Sequence, residues 1–254
     1  LEHFTRRPVS LLLVCGRPSV ATINKSLIER GVDGIEVELV DSELLARRAL
    51  EDGPFDLVVG DATAARNFKA AREWDLSFSG VLSAYEVDRI RQMALRVLYE
   101  RDAASLLPRK SYLELHVGDG DYLDELPRAL DGLVAAHAIS ADEAALIMDR
   151  ECQGDRLQLG HVAFPHTITP VAASTFRLLA IMPDAPLRDG DEQIDLVVVT
   201  LASQRLADKS SMFNYLFSVL HDAERARVRL PRTYEETVAF LGRDFGYVEE
   251  KSDE

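Results

Sequence analysis

The stretch Val9–Ile28, VSLLLVCGRPSVATINKSLI, decides how the chain is read. Val9 to Cys15 is an unbroken apolar run between Pro8 and Gly16, the pattern of a strand buried on both faces within a parallel sheet. Beyond it, Ile23, Leu27 and Ile28 recur at helical spacing, so a strand passes into a helix through Gly16-Arg17-Pro18. A buried strand feeding a helix is half of a βαβ unit, and further units of that kind give an open α/β sheet.

The alternation continues outward from there. Ile35 to Val40 alternates as a strand, Ser42 begins a helix, Phe55 to Val59 reads as a second buried strand and Leu76 to Phe78 as a short one. Ser83 to Tyr99 is helical, with Val87, Ile90, Met93, Ala94, Val97 and Leu98 on one face. Leu106-Leu107-Pro108 interrupts the pattern, which places a domain boundary there and predicts two α/β domains, 1–107 and 108–254. In the second, Tyr112 to Val117 is strand-like, Gly118 to Asp121 a turn, and Leu123 to His137 a helix. Ser140-Ala141-Asp142-Glu143 has the form of a capping box opening a helix with Ala144, Leu146, Ile147 and Met148. Strands follow at Phe176 to Met182 and Ile194 to Leu201. A helix over Lys209 to His221 is expected to bury Met212, Phe213, Leu216 and Leu220, and Thr233 to Glu236 caps a last helix.

Composition narrows the function. With 47% hydrophobic and 28% charged residues the 254-residue chain is globular, and no apolar run reaches the ~20 residues of a membrane span. The net charge of -14 argues against direct contact with nucleic acid, whose grip comes from neutralising phosphates. Residues 1–107 carry 14 Lys/Arg against 17 Asp/Glu, and 108–254 carry 15 against 26, so the two halves present different surfaces. Cys15 and Cys152 lie far apart, which speaks for a reducing, cytoplasmic setting rather than a disulfide framework. The chain opens Leu-Glu-His rather than with Met, as a portion of a longer protein would.

Two residues stand where chemistry is possible. Cys15 ends the first buried strand, before a helix N-terminus, where backbone N–H groups favour an anion and a thiolate. The alternative is a buried cysteine acting as a small hydrophobe. The loop carries neither the arginine of a tyrosine-phosphatase loop, Ala21 standing in its place, nor the Gly-Lys-Ser/Thr of a nucleotide P-loop. In Leu159–Pro170, LGHVAFPHTITP, His166 follows Pro165 in what reads as a turn that can present an imidazole outward as nucleophile or base. The alternative is a turn histidine with a satisfied hydrogen bond. His161 and His166 have no acidic or cysteine ligand between them, so no metal site is expected, and no cofactor is implied. Cys152, in a charged stretch without ligand-spaced partners, reads as incidental. His3, His116, His137 and His221 read as surface residues, and no Gly-x-Ser-x-Gly is present.

Arg150-Glu151, a spacer, then Gly160-His161-Val162-Ala163-Phe164-Pro165-His166-Thr167 resembles the enzyme IIA domain of the mannitol/fructose class, a phosphocarrier of the bacterial phosphoenolpyruvate-dependent sugar phosphotransferase system. The resemblance covers roughly Tyr112 to Gly242. It implies a mixed-sheet α/β domain, His166 as phosphoryl acceptor, the histidine phosphocarrier protein of the system as donor, and Arg150 as a phosphate stabiliser. The position of the family's second histidine aligns near Lys209, whose ammonium either replaces the imidazole electrostatically or leaves the site weaker.

With that in place, the strand ending in Cys15, together with Ser77-Phe78-Ser79-Gly80-Val81-Leu82 and Glu86-Val87-Asp88, looks like an enzyme IIB domain of the galactitol type, in which the cysteine is phosphorylated. The sequence departs from that family at Pro18 and Val20, where the phosphoryl-cradling glycines belong, so the resemblance implies Cys15 as a second acceptor only with a weakened cradle. A galactitol-type IIB followed by a mannitol-type IIA is the C-terminal arrangement of phosphotransferase-regulated activators. DNA-binding and regulatory (PRD) domains of the same polypeptide then lie upstream. The competing readings are a transport phosphocarrier passing phosphate from His166 through Cys15 to a sugar, and a pair of folds that have lost phosphoryl chemistry.

Overall fold

The computed structural model describes residues 7–62, 74–118, 120–154, 156–169, 176–203, 211–243 and 245. The chain divides into two compact units, Leu1–Arg101 and Asp102–Glu254. The division falls inside one long helix, six residues short of the position expected from Pro108. Among the described residues no helix is long and apolar enough to cross a membrane.

The first unit is a parallel sheet. Its strands are β1 (Val9–Val14), β2 (Ile35–Val40), β3 (Leu57–Asp61) and β4 (Leu76–Phe78), in the order β2-β1-β3-β4. β1 is the inner strand that its apolar run demands: Leu11, Leu12 and Leu13 are fully buried, and Val14 stands in register with Val40 on one side and Gly60 on the other. The helices are α1 (Pro18–Gly31), α2 (Glu43–Asp52) and α3 (Ala84–Leu106). Ser42 caps α2, accepting from the Leu45 N–H. Asn24, fully buried on α1, donates to the Gly80 carbonyl and accepts from the Leu82 N–H, fixing the loop after β4. α3 runs past the expected Tyr99 to Leu106, and stops just before the extended Pro108, because a proline disfavours helix in the residue ahead of it.

The second unit is a mixed sheet. β5 (Tyr112–Leu115), β9 (Phe176–Pro183), β12 (Leu196–Ser203), β7 (Val162–Ala163) and β6 (Gln158–Leu159) form it in that order, and β8 (His166–Thr169) also pairs with β12. Its other elements are the hairpin β10 (Leu187–Asp189) and β11 (Glu192–Ile194), and the helices α4 (Tyr122–Ala135), α5 (Ala141–Cys152), α6 (Ser211–Arg225) and α7 (Tyr234–Leu241). Along β12, Val197, Val199 and Leu201 join a core with Leu126, Leu130 and Leu133 of α4 and Ala144 and Ile147 of α5. The opposite face meets α6 and α7, where Tyr112 packs edge-on against Tyr234 at 5.7 Å between ring centres. The sheet is therefore covered on both faces, which is why the Val-rich β12 shows no polar alternation.

Candidate functional site

His166 is positioned by a broken strand. β7 and β8 run parallel to the same edge of β12 in one register, Val162 and Ala163 beside Leu196 and Val197, and His166 to Thr169 beside Thr200 to Ser203. The interruption is Phe164-Pro165, where proline has no N–H to offer the ladder; its carbonyl still accepts from the Thr200 N–H at 2.9 Å. The turn expected at Pro165-His166 is thus a break in a strand, and His166 is the first residue after pairing resumes. Side chains alternate across the sheet, so Phe164 and His166 share the α6 face while Ala163 lies in the core under α4 and α5.

On that face the imidazole is half-buried and packed by an aromatic pair. Phe164, fully buried, stacks on Phe213 at 5.1 Å, and the Phe213 ring lies 5.1 Å from the His166 ring at an angle of 52°. The sequence pattern assigns Phe213 to the core with Met212, Leu216 and Leu220. Those three are buried, whereas Phe213 is half-exposed and walls the histidine. Helical spacing could not separate these roles, because a residue at the margin of an apolar stripe looks like its centre.

Arg150, in the last turn of α5, brings its Nη2 to 2.7 Å from Nε2 of His166. A guanidinium carries only donors, so this contact is N–H donation into the Nε2 lone pair. The ring is therefore neutral at that nitrogen. A cation beside a lone pair that can attack phosphorus is an arrangement suited to forming a phosphoramidate and neutralising its oxygens. The chain end of α5 is itself anchored: Glu151, buried, accepts from the Tyr122 hydroxyl at 2.9 Å. Burial pushes the Glu151 carboxyl above its ordinary range, partly offset by the Tyr122 hydrogen bond and the nearby Arg156 and Arg150 charges. Burial likewise drives the Tyr122 phenol upward, with the Glu151 charge adding to it.

His161, five residues before His166, points elsewhere. It sits in the β6–β7 turn after Gly160, which has φ +55, and its Nδ1 lies 3.2 Å from Asp195 Oδ2. Lys209 lies outside the described residues. Cys152 is exposed, as are His116 and His137, and His221 is half-exposed. Among the described residues no three His, Cys, Asp or Glu side chains cluster as metal ligands do.

Cys15 occupies a different environment in the first unit. Its thiol is fully buried, and its Sγ lies 3.8 Å from the Arg17 carbonyl. α1 begins at Pro18, leaving three residues between strand and helix, and no side chain caps its first turn. Extending the β1–β3 register by one residue puts Asp61 beside Cys15. Asp61 is buried and its Oδ2 accepts from Arg17 Nη2 at 2.7 Å. That hydrogen bond, then the Asp61 charge, hold the Arg17 guanidinium above its ordinary value. The Arg17 cation, two residues from the thiol, is thus already engaged with a carboxylate.

Residues 8–96 match the family described as Frv operon regulatory protein FrvR, fourth domain. The chain is also 25% identical, over 234 residues, to a regulatory protein assigned to the frv operon of Escherichia coli (strain K12). The match takes in 88% of this chain and 38% of that protein, so the chain spans less than half of its relative's length. Among solved structures, the mannitol-specific cryptic phosphotransferase enzyme IIA CmtB of Escherichia coli is similar at 16% identity and a TM-score of 0.43. That match covers 56% of this chain and 98% of CmtB. Enzyme IIA of the Escherichia coli mannitol system, solved in complex with phosphorylated enzyme IIB, is similar at 18% identity and a TM-score of 0.41, covering 54% of this chain and 100% of that one.

Proposed function

We propose that this chain is a phosphoryl-accepting regulatory module of the sugar phosphotransferase system, with His166 as acceptor. The observation that carries the reading is the 2.7 Å contact between Arg150 Nη2 and His166 Nε2. Neutral Nε2 attacks the phosphorus carried on the histidine phosphocarrier protein. The new N–P bond forms as the donor's N–P bond breaks; the donor ring, protonated on its other nitrogen, leaves as neutral imidazole, and His166 keeps its own proton on Nδ1, so the protons balance without a separate base. Arg150 turns its donors from the lone pair to the incoming oxygens, and Phe213 holds the ring against rotation. Lys209, aligned near the family's second histidine, is assigned a supporting role as a further cation for those oxygens. The similarity to a regulatory protein of an operon supports a regulatory use of the phosphate. The added dianion at His166 then changes a surface of the second unit that upstream regulatory and DNA-binding domains would read.

The geometry at Cys15 supports transfer to His166 without onward passage. A phosphocysteine there would need a dianion beside buried Asp61, at the cost of the Arg17–Asp61 pair, on a thiol that solvent does not reach. This weighs against the transport reading. The test is incubation with phosphoenolpyruvate, enzyme I and the histidine phosphocarrier protein. Label is expected on the wild-type chain and on Cys15→Ser, and is expected to be absent from His166→Ala; label persisting on His166→Ala overturns the assignment.

A further inference from the structure

α5 and β8 are tied together at both ends. Arg150 meets His166 at one end. At the other, buried Glu143 accepts from the Thr169 hydroxyl at 2.9 Å and from the Arg177 guanidinium of β9, while Arg177 also donates to the Ala138 carbonyl at 3.0 Å. The spacings agree: seven residues of helix between Glu143 and Arg150 rise about 10 Å, and three residues of strand between His166 and Thr169 rise about 10 Å. The helix runs antiparallel to the strand, and the two ties close a frame around the imidazole. Thr169 stands on the face under α5, opposite to His166, so the Glu143 tie holds the strand from the side that the histidine does not use.

We propose that Glu143 is a positioning residue for the phosphoryl-acceptor site: it fixes the register of α5 against β8 and so brings Arg150 Nη2 onto His166 Nε2. Its role exceeds that of a helix cap. The Ser140 side chain and backbone use the same carboxylate in the capping box, through Oε2 at 3.3 and 2.9 Å, whereas Thr169 and Arg177 use Oε1. One oxygen serves the helix and the other serves the site. The carboxyl is ionised in this setting, since burial, which pushes it up, is outweighed by the Ser140 N–H, the Thr169 hydroxyl and Arg177, leaving it below its ordinary value. Its consequence for transfer rests on the reading of His166 as acceptor; its consequence for the imidazole does not.

The test reads the ring directly. With Arg150 donating to Nε2, the neutral imidazole carries its proton on Nδ1, and long-range nitrogen–proton correlation spectra of labelled protein distinguish the two tautomers. The His166 signals are identified by their loss in His166→Gln. Wild type is expected as the Nδ1–H tautomer. Glu143→Gln loses the charge that holds Arg177 and leaves one acceptor oxygen where the carboxylate offered two, so the helix cap and the site compete for it. It is expected to shift the ring toward Nε2–H and to slow phosphoryl transfer about ten-fold with the KM for the donor unchanged. Thr169→Val keeps the volume, removes one tie and shifts the ring the same way by a smaller amount; it carries the test if Glu143→Gln does not fold. Ser140→Ala weakens the helix start but spares Oε1, and its ring is expected to match wild type. Ring and rate unchanged in Glu143→Gln and Thr169→Val, or a shift in Ser140→Ala as large as theirs, overturns the proposal. Absence of label from the wild-type chain counts against the acceptor reading alone, because the tautomer measurement still decides the role of Glu143.

Discussion

Replacing Arg150 by Gln removes a cation that contacts His166 while keeping a polar side chain. The guanidinium lies 2.7 Å from Nε2, so a phosphoryl group formed there comes within its hydrogen-bonding range. Opposite unit charges 4 Å apart at an effective dielectric of ~20 attract by about 4 kcal/mol. Arg150 is only half-buried, so solvent screens part of that, and a hydrogen bond to a charged group, worth about 1.5–3 kcal/mol, is the better measure. At 1.36 kcal/mol per decade this slows transfer about 10- to 150-fold. Arg150→Lys keeps the charge but loses the planar fork, and its rate is expected between the two. The assay is a single-turnover rapid quench against excess phosphorylated histidine phosphocarrier protein, worked up at alkaline pH to preserve the phosphoramidate, with far-ultraviolet circular dichroism confirming the fold. A folded Arg150→Gln that transfers within about two-fold of the wild-type rate refutes the reasoning, since the contact would then contribute under ~0.5 kcal/mol to the barrier.

Three further outcomes follow from the same structure. Phe213→Ala removes the ring between Phe164 and His166 and, from a half-buried position, is expected to cost about 2 kcal/mol in the denaturant transition of the second unit; a loss under ~0.5 kcal/mol counts against the aromatic wall. Gly160→Ala forces a side chain to φ +55 and puts its Cβ 2.8 Å from Glu224 Cγ, with an expected cost of about 1–2 kcal/mol, and an unchanged midpoint would contradict that geometry. In the first unit, burial pushes the Asp56 carboxyl up, but hydrogen bonds from Arg101 and Ser10 outweigh it and hold it below its ordinary value. Its stabilisation is therefore full above about pH 4 and is lost as the pH falls through the lower folded value, so Asp56→Asn is expected to destabilise the unit at neutral pH and flatten its acid unfolding limb. An acid limb as steep as the wild type's would contradict this.

Much of the fold is legible because its signals are local. The apolar run of β1, the Ser140–Glu143 box and the Val-rich β12 each state their structure within a few residues, and all three are found where the pattern puts them. The cap of the last helix is also found where its sequence puts it. Thr233 accepts from the Glu236 N–H, but the Glu236 carboxylate bonds the N–H of Arg232, one residue earlier than a capping box requires. The β10–β11 hairpin goes unanticipated although Asp189-Gly190-Asp191 carries its turn, with Gly190 at φ +62, because its strands are too short for an alternation to register. At the site, Arg150 and His166 can be named from sequence, but their contact depends on a strand that breaks at Pro165 and resumes in register. Phe213 and Glu143 are invisible as site residues for the same reason. One looks like core and the other like a cap, and only the tertiary frame sets Phe213 against the imidazole and ties Glu143 to the strand that carries it.

The central claim is that one nitrogen, Nε2 of His166, takes the phosphoryl group. Phosphorus–nitrogen correlation spectra of the ring-labelled chain, phosphorylated through the histidine phosphocarrier protein, measure this directly. A phosphorus coupling to Nε2 of His166, absent in His166→Gln, is the predicted result. A coupling to Nδ1, or phosphorus found on the Cys15 sulfur instead, contradicts it.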